Sequence, residues 1–236
     1  MSLNPPDGFR EAVDRIGVPV RDHALEKIGQ YLERMLEVNR HMNLTSVRDP
    51  EQAWWRHIQD SLAILPWVSG QGPVLDLGSG AGLPGIPVAI VRPDLPLVLM
   101  EATGKKARFL EETVVGLGLP QVQVVTSRAE PAARSPDHRG RYDQVLARAL
   151  APLPSLIELA LPFLRTGGEL LAMKGAKGEL ELEASRRALH LLQGRVVGRE
   201  RPASGNPDSL LIRIRKHGPT SEEFPRPTGE AQHRPL

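Results

Sequence analysis

Residues 74–85 read Val-Leu-Asp-Leu-Gly-Ser-Gly-Ala-Gly-Leu-Pro-Gly, an apolar strand that passes through one acidic residue into a glycine-rich turn and a helix start. Such a junction belongs to a parallel α/β sheet, because open sheets receive their ligands where a strand ends and its crossover helix begins. Glycines at 78, 80 and 82 let the backbone turn tightly and come close to a bound nucleoside, where a Cβ would collide. Pro84 and Pro87 suit a first helical turn, whose N–H groups have no intrahelical acceptor.

Two nucleotide classes use a turn of this kind, and Gly80, Gly82 and Gly85 also satisfy the dinucleotide pattern G-x-G-x-x-G. Asp76 separates the classes. A turn that cradles a pyrophosphate disfavours an anion just before its first glycine, whereas a cofactor with an ammonium and a sulfonium is attracted by one. S-adenosylmethionine is such a cofactor. Glu101 closes the apolar run Leu95–Met100, roughly 20 residues past the turn, where an acidic side chain accepts both ribose hydroxyl protons. The alternative makes Glu101 a solvated strand end and Asp76 a helix cap.

From Val74 onward, strands near 73–77, 95–101, 121–125, 142–148 and 168–174 alternate with helices near 84–91, 104–117, 153–164 and 178–193. This alternation builds a doubly wound parallel sheet. Residues 195–199 and 210–215 have no helix between them and read as an antiparallel pair closing it. Before the sheet, Leu25, Ile28, Leu32 and Leu36 mark one helix, and Asp49-Pro50 starts a second over about 51–65 with Trp54, Ile58, Leu62 and Leu65 on one face. The organisation expected is a helical appendage over 1–70, a catalytic domain over 71–217 and a mobile tail over 218–236, which is rich in Pro, Glu and Arg.

At 236 residues and 40% hydrophobic content the chain can bury one good-sized core. No apolar stretch is long enough to span a bilayer and no signal-peptide pattern opens the chain, so a cytoplasmic protein without membrane attachment is expected. Cysteine is absent, which excludes disulfides, thiolate zinc sites and iron–sulfur clusters. It also excludes methyl transfer to pyrimidine carbon 5 through a cysteine nucleophile. His23, His41 and His57 show no metal-ligand spacing. The net charge of +2 permits a nucleic-acid partner without announcing one.

Ligands at the strand ends would meet Gly78 to Leu83, Glu101, Ser127 to Glu130, Arg148 and Lys174. Ala129 and Glu130 would lie beside an adenine, offering a backbone N–H and a carboxylate to the ring edge. After the fourth strand, the chain reads Ala147-Arg148-Ala149-Leu150-Ala151-Pro152, without the Asp/Asn-Pro-Pro-aromatic element that holds an exocyclic amine. Arg148 also stands where ribose 2′-hydroxyl transfer employs an Asp. A ring nitrogen with an exposed lone pair, such as guanine N7, remains; it needs positioning and no general base. His57, Asp60 and Ser61 share one helix face and either line the target pocket or fasten the appendage to the sheet. Trp54 and Trp55 read as packing. Lys105, Lys106 and Arg108 open a helix where cations are unfavourable, and with Arg213, Arg215 and Lys216 are candidate phosphate contacts.

Leu75 to Pro87, Arg92-Pro93-Asp94, Lys105 to Leu110, Ser127 to Glu130, Ala147 to Leu153 and Met173-Lys174-Gly175 resemble the bacterial small-subunit ribosomal RNA methyltransferase G family, also called glucose-inhibited division protein B. Asn43-Leu44-Thr45, Arg56-His57 and Asp60-Ser61-Leu62 resemble that family's helical preface. The resemblance implies a Rossmann-like class I S-adenosylmethionine-dependent methyltransferase with a mostly parallel seven-stranded sheet. It implies methylation of guanine N7 in 16S ribosomal RNA, at guanine 527; free 16S RNA or the 30S subunit is the partner expected, the chain is expected to be a monomer, and the histidine spacing calls for no metal. Carried over by position, Gly78, Leu83, Ala129, Glu130 and Arg148 contact the cofactor, beside Asp76, Gly80, Gly82 and Glu101. Arg148, Lys174, His57, Asp60 and Ser61 position the substrate. The competing readings are a nicotinamide-dependent oxidoreductase, a methyltransferase for another RNA site, a small molecule or a protein, and a non-catalytic ribosome-assembly factor that keeps the pocket.

Overall fold

Strand β1 (Val74–Leu77) is buried at all four residues, as a strand must be when partners flank both edges and helices cover both faces. In the computed structural model, which describes residues 3–69 and 72–236, β1 pairs in parallel with β2 (Leu97–Glu101) and with β4 (Tyr142–Arg148). Leu75 stands opposite Val98 on one side and Val145 on the other. Strand β3 (Val122–Thr126) extends the sheet beyond β2, and β5 (Leu164–Lys174) beyond β4. Strands β6 (Gly194–Glu200) and β7 (Leu210–Lys216) close it as an antiparallel pair. The order is β3-β2-β1-β4-β5-β7-β6, the expected seven-stranded, mostly parallel sheet. Chain direction across the sheet reverses between β1 and β4, which opens the crevice at their carboxyl ends.

Successive β1 residues point to opposite faces, so Val74 joins one core and Leu75 the other. The first core holds α5 (Gly85–Val91), α6 (Gly104–Gly116) and the N-terminal helices α1 (Phe9–Asp14) and α2 (Asp22–Met42). The second holds α7 (Ala129–Arg134), α8 (Leu153–Ala160), α9 (Gly178–Ala184) and α10 (Arg186–Leu191). The expected boundary at 70/71 lies outside the described residues, but the first core runs across it: Trp54, Ile58 and Leu62 pack in one cluster with Val74, Leu97 and Leu99.

Three expectations are modified. Residues 1–22 carry few periodic signals, yet α1 forms because Phe9 packs edge-on against Trp54 and Trp55, at 4.9 and 5.3 Å between ring centres. The helix expected over 51–65 starts with Asp49 capping the Gln52 N–H at 2.8 Å, runs as α3 (Pro50–Ala53), widens into a π-helical turn over Trp54–Gln59 and resumes as α4 (Asp60–Leu62). The mobile tail is packed. Phe224 and Ala231 are buried, Arg134 donates to the carbonyls of Glu222, Glu223 and Pro225, and Arg139 donates to those of Thr220, Ser221 and Phe224. Composition signalled disorder because it does not register partners more than 80 residues away. The segment ends in a short helix, α11 (Glu230–His233).

Candidate functional site

The turn after β1 is held from below. The Gly78 and Ser79 N–H groups donate to the Met100 carbonyl at 2.9 and 3.0 Å, and the buried Tyr31 hydroxyl of α2 donates to the Ala81 carbonyl at 2.9 Å. Gly78, Gly80 and Gly82 have φ of 73°, 58° and 96°, which side chains disfavour. Their surroundings differ. A Cβ on Gly80 would meet nothing closer than the Gly78 carbonyl at 3.9 Å, so that position faces open space. A Cβ on Gly82 would strike Ile86 and come within 3.0 Å of Leu110, so Gly82 serves core packing rather than the cleft.

Asp76 also departs from its expected role. Its side chain is wholly buried beneath the turn, and Oδ2 accepts from the Gly85 N–H at 3.0 Å, capping the first residue of α5. Burial pushes its carboxyl up to about 7, against the lowering effect of the Gly85 hydrogen bond. It is not part of the cleft wall, and the helix-cap reading describes its geometry.

Above the turn lies a cleft of about 480 Å³ walled by Gly78 to Ala81, Leu83, Glu101 and Arg148 to Leu150, with Leu44 and Thr45 of the loop after α2 and His57 of the π-helical turn reaching in. Glu101 sits at the end of β2 with Oε2 accepting from the Gly80 N–H at 2.9 Å and Oε1 from the Thr103 N–H at 2.8 Å. Each oxygen keeps a lone pair for a further donor. Beside the cleft, a narrower slot is bounded by Leu77, Met100, Ala129, Glu130 and Leu150. Glu130 stands in the first turn of α7 and is buried.

Arg148, the last residue of β4, reaches into the π-helical turn. There it donates to the Arg56 carbonyl at 2.7 Å and the His57 carbonyl at 3.4 Å, and pairs with Asp60 at 3.3 Å. Burial lowers the guanidinium's pKa, opposed first by Asp60. Burial likewise raises that of Asp60, opposed first by Arg148. The next residue, Ala149, takes φ of 53°, a strained conformation for a residue with a Cβ, directly at the strand end. Two further cavities, of about 600 and 560 Å³, adjoin Asp60 and Arg148. The larger is walled by Trp55 and His57, the smaller by Lys174. Arg148 therefore borders all three spaces.

The remaining candidates divide. His57 Nε2 lies 2.7 Å from Thr45 Oγ1, and burial, followed by the charge of Arg148, holds the imidazole down at about 4 and thus neutral at pH 7. Ser61 is fully buried and donates to the His57 carbonyl at 2.6 Å, so it fastens the helix rather than lining a cavity. Lys174 donates to the Ala151 carbonyl at 2.6 Å and pairs with Glu181 at 2.9 Å, bracing the 149–153 loop. Lys106 borders the cleft. The sequence reading passed over Tyr31, Ala149 and Gln232 of the C-terminal helix, which borders the slot. Only Tyr31 carried a signal, a polar tip on the buried stripe of α2.

A cleft with a neutral imidazole and an arginine committed to carbonyls suits an acceptor atom that carries a free lone pair and needs no deprotonation. The family model described as rRNA small subunit methyltransferase G matches residues 24–202. The ribosomal RNA small subunit methyltransferase G of Sorangium cellulosum is 42% identical over 231 residues, covering 94% of this chain and 92% of that protein. The protein of the same name from Deinococcus radiodurans is 40% identical over 233 residues, covering 97% and 91%. Among solved structures, the O-methyltransferase from Bacillus cereus in complex with SAH aligns with a TM-score of 0.55 over 87% of this chain and 96% of that one, at 19% identity. That likeness speaks for the fold.

Proposed function

Because the chain belongs to the rRNA small subunit methyltransferase G family, we propose that its 480 Å³ cleft takes S-adenosylmethionine and that Arg148 presents a guanine of 16S ribosomal RNA to it. The chain is an S-adenosylmethionine-dependent rRNA methyltransferase. The finer reading is transfer to N7, at guanine 527 of 16S ribosomal RNA. The guanine and its position follow from the family, and one observation of the site supports the reading: three cavities border Arg148, one of them walled by the glycine turn and Glu101.

The residues fit the cofactor. Gly80 leaves vacant the space that any Cβ would fill, Glu101 keeps acceptor capacity for a ribose diol, and Glu130 offers a carboxylate at the slot where an adenine amine would arrive. When bound, this cofactor supplies a methyl carbon made electrophilic by its sulfonium. The chain's own contribution is alignment. Arg148 ties the strand end to the carbonyls of Arg56 and His57, and Lys174 braces the loop from Ala149 to Leu153, so the acceptor's walls are fixed before substrate arrives. Neutral His57 and paired Asp60 add no free cation beside a guanine ring that becomes positive on methylation. Asp76 and Gly82 act beneath the turn, on its shape.

The substrate is 16S ribosomal RNA, free or in the 30S subunit, and the chain acts as a cytoplasmic monomer. Among the described residues no helix is long and apolar enough to cross a membrane. Lys106, which borders the cleft, and the exposed Lys105 and Arg108 of the same helix serve as phosphate contacts. Incubation with methyl-labelled S-adenosylmethionine and either free 16S RNA or 30S particles tests the reading. Label is expected in one guanine as an N7-methyl group; label confined to protein or small molecules would overturn it.

A further inference from the structure

The slot beside the main cleft has one wall supplied from far along the chain. Glu130 directs Oε1 to the N–H of Gly229, at 2.8 Å, and Gln232, one turn further on, lines the same slot as Leu77, Met100 and Leu150. Gly229 takes φ of 84°, which lets its N–H turn back toward Glu130. We propose that the C-terminal segment completes the adenine subsite: Glu130, oriented by the Gly229 N–H, and the Gln232 amide together select a 6-aminopurine cofactor. This rests on the reading of the cleft as the S-adenosylmethionine site.

The segment is anchored firmly enough for the role. Arg226 pairs with Glu158, which is fully buried on α8, at 2.6 Å between Nη2 and Oε2, and its backbone N–H donates to Oε1 of the same carboxylate at 2.9 Å. Its guanidinium also donates to the Arg234 carbonyl at 2.7 Å, closing residues 226–234 into a loop around α11. Within this loop Ala231 faces the core while its neighbour Gln232 is exposed: its backbone N–H donates to the Gly229 carbonyl at 3.2 Å, and its side-chain amide makes no hydrogen bond among the described residues. The anchoring thus fixes the backbone and leaves the Gln232 amide for a ligand.

The chemistry of the two side chains is selective. Adenine presents an amino group beside ring-nitrogen acceptors, so a carboxylate and an amide supply acceptor and donor in matching positions. A 6-oxopurine presents a carbonyl where the carboxylate requires a donor, and a buried group left unpaired is costly. Selection by the tail is therefore a difference between two ligands, separable from any general loosening of the fold.

Calorimetric titration of the full chain with S-adenosylhomocysteine and with S-inosylhomocysteine tests this, on wild type, Gln232→Ala and Glu130→Gln, each checked by thermal melting. Gln232→Ala is expected to weaken the adenosyl ligand by about tenfold while changing the inosyl ligand less than about twofold, at an unchanged melting temperature. Wild-type affinity for the adenosyl ligand in Gln232→Ala, or an equal loss for both ligands, would overturn the proposal. If Glu130→Gln loses adenosyl affinity while Gln232→Ala does not, only the tail's role fails. If both variants bind as wild type, the assignment of the slot itself fails.

Discussion

At Gly80 and Gly82 one residue type serves two purposes two positions apart, and substitution separates them. Gly80→Val places its branched side chain in the open cleft, so S-adenosylhomocysteine affinity should fall by at least about 100-fold while melting drops only by the strain of a left-handed residue, about 1–2 kcal/mol. Gly82→Val drives the same atoms into Ile86 and Leu110, and the loss should appear first in stability, by about 3 kcal/mol in denaturant titration. Asp76 and His57 make opposed contributions to pH dependence. Asp76 holds its proton up to about 7 when folded and releases it near 3.8 when unfolded, so its contribution is complete below 3.8 and is lost as pH rises toward 7. His57 stays neutral down to about 4 when folded but protonates below 6.5 when unfolded, so its contribution is complete above 6.5 and is lost as pH falls toward 4. Melting temperatures measured between about pH 4 and pH 8 should therefore fall less steeply with rising pH in Asp76→Asn, and less steeply with falling pH in His57→Gln.

Among the elements, the π-helical turn and the end of β4 form one unit. A helix that widens for one turn frees carbonyls from its regular ladder, and Arg148 occupies those of Arg56 and His57. Arg148→Ala should abolish measurable methylation and destabilise the chain by on the order of 3 kcal/mol, because Asp60 is left buried without its partner. Asp60→Asn in the same background should recover stability but not activity, in paired denaturant titrations and methylation assays. Tyr31→Phe removes the hydroxyl under Ala81 and should cost about 1 kcal/mol of stability together with a few-fold loss in cofactor affinity. The strand, glycine turn and α5 were legible in the sequence because each is specified by neighbouring residues: four buried strand positions, three positive-φ glycines and a helix start. The π-helical turn and the strained Ala149 were not, since both answer to partners across the fold, such as Arg148 to Arg56, 92 positions apart. Asp76 was legible as a residue that matters and misread in how, because its reach to Gly85 depends on the fold of the turn.

Taken as a whole, the molecule places its site where the sheet changes direction and then brings both chain ends to it. The N-terminal region supplies Thr45 from a loop and His57 and Asp60 from its helices, and the C-terminal segment supplies Gly229 and Gln232. Alternation of strands and helices made the seven-stranded sheet readable, whereas tail packing through Arg134, Arg139 and Glu158 left no local pattern to read. Such closure makes the cleft a joint product of segments that a deletion at either end would open. The central claim is methyl transfer to one guanine of small-subunit ribosomal RNA, with alignment at Arg148 as its source. Its most direct test is mass mapping of modified guanines in 16S ribosomal RNA from cells with the protein, without it, and with only Arg148→Ala. One N7-methylguanine present in the first and missing from the other two is the expected result; an identical pattern in all three would contradict the account.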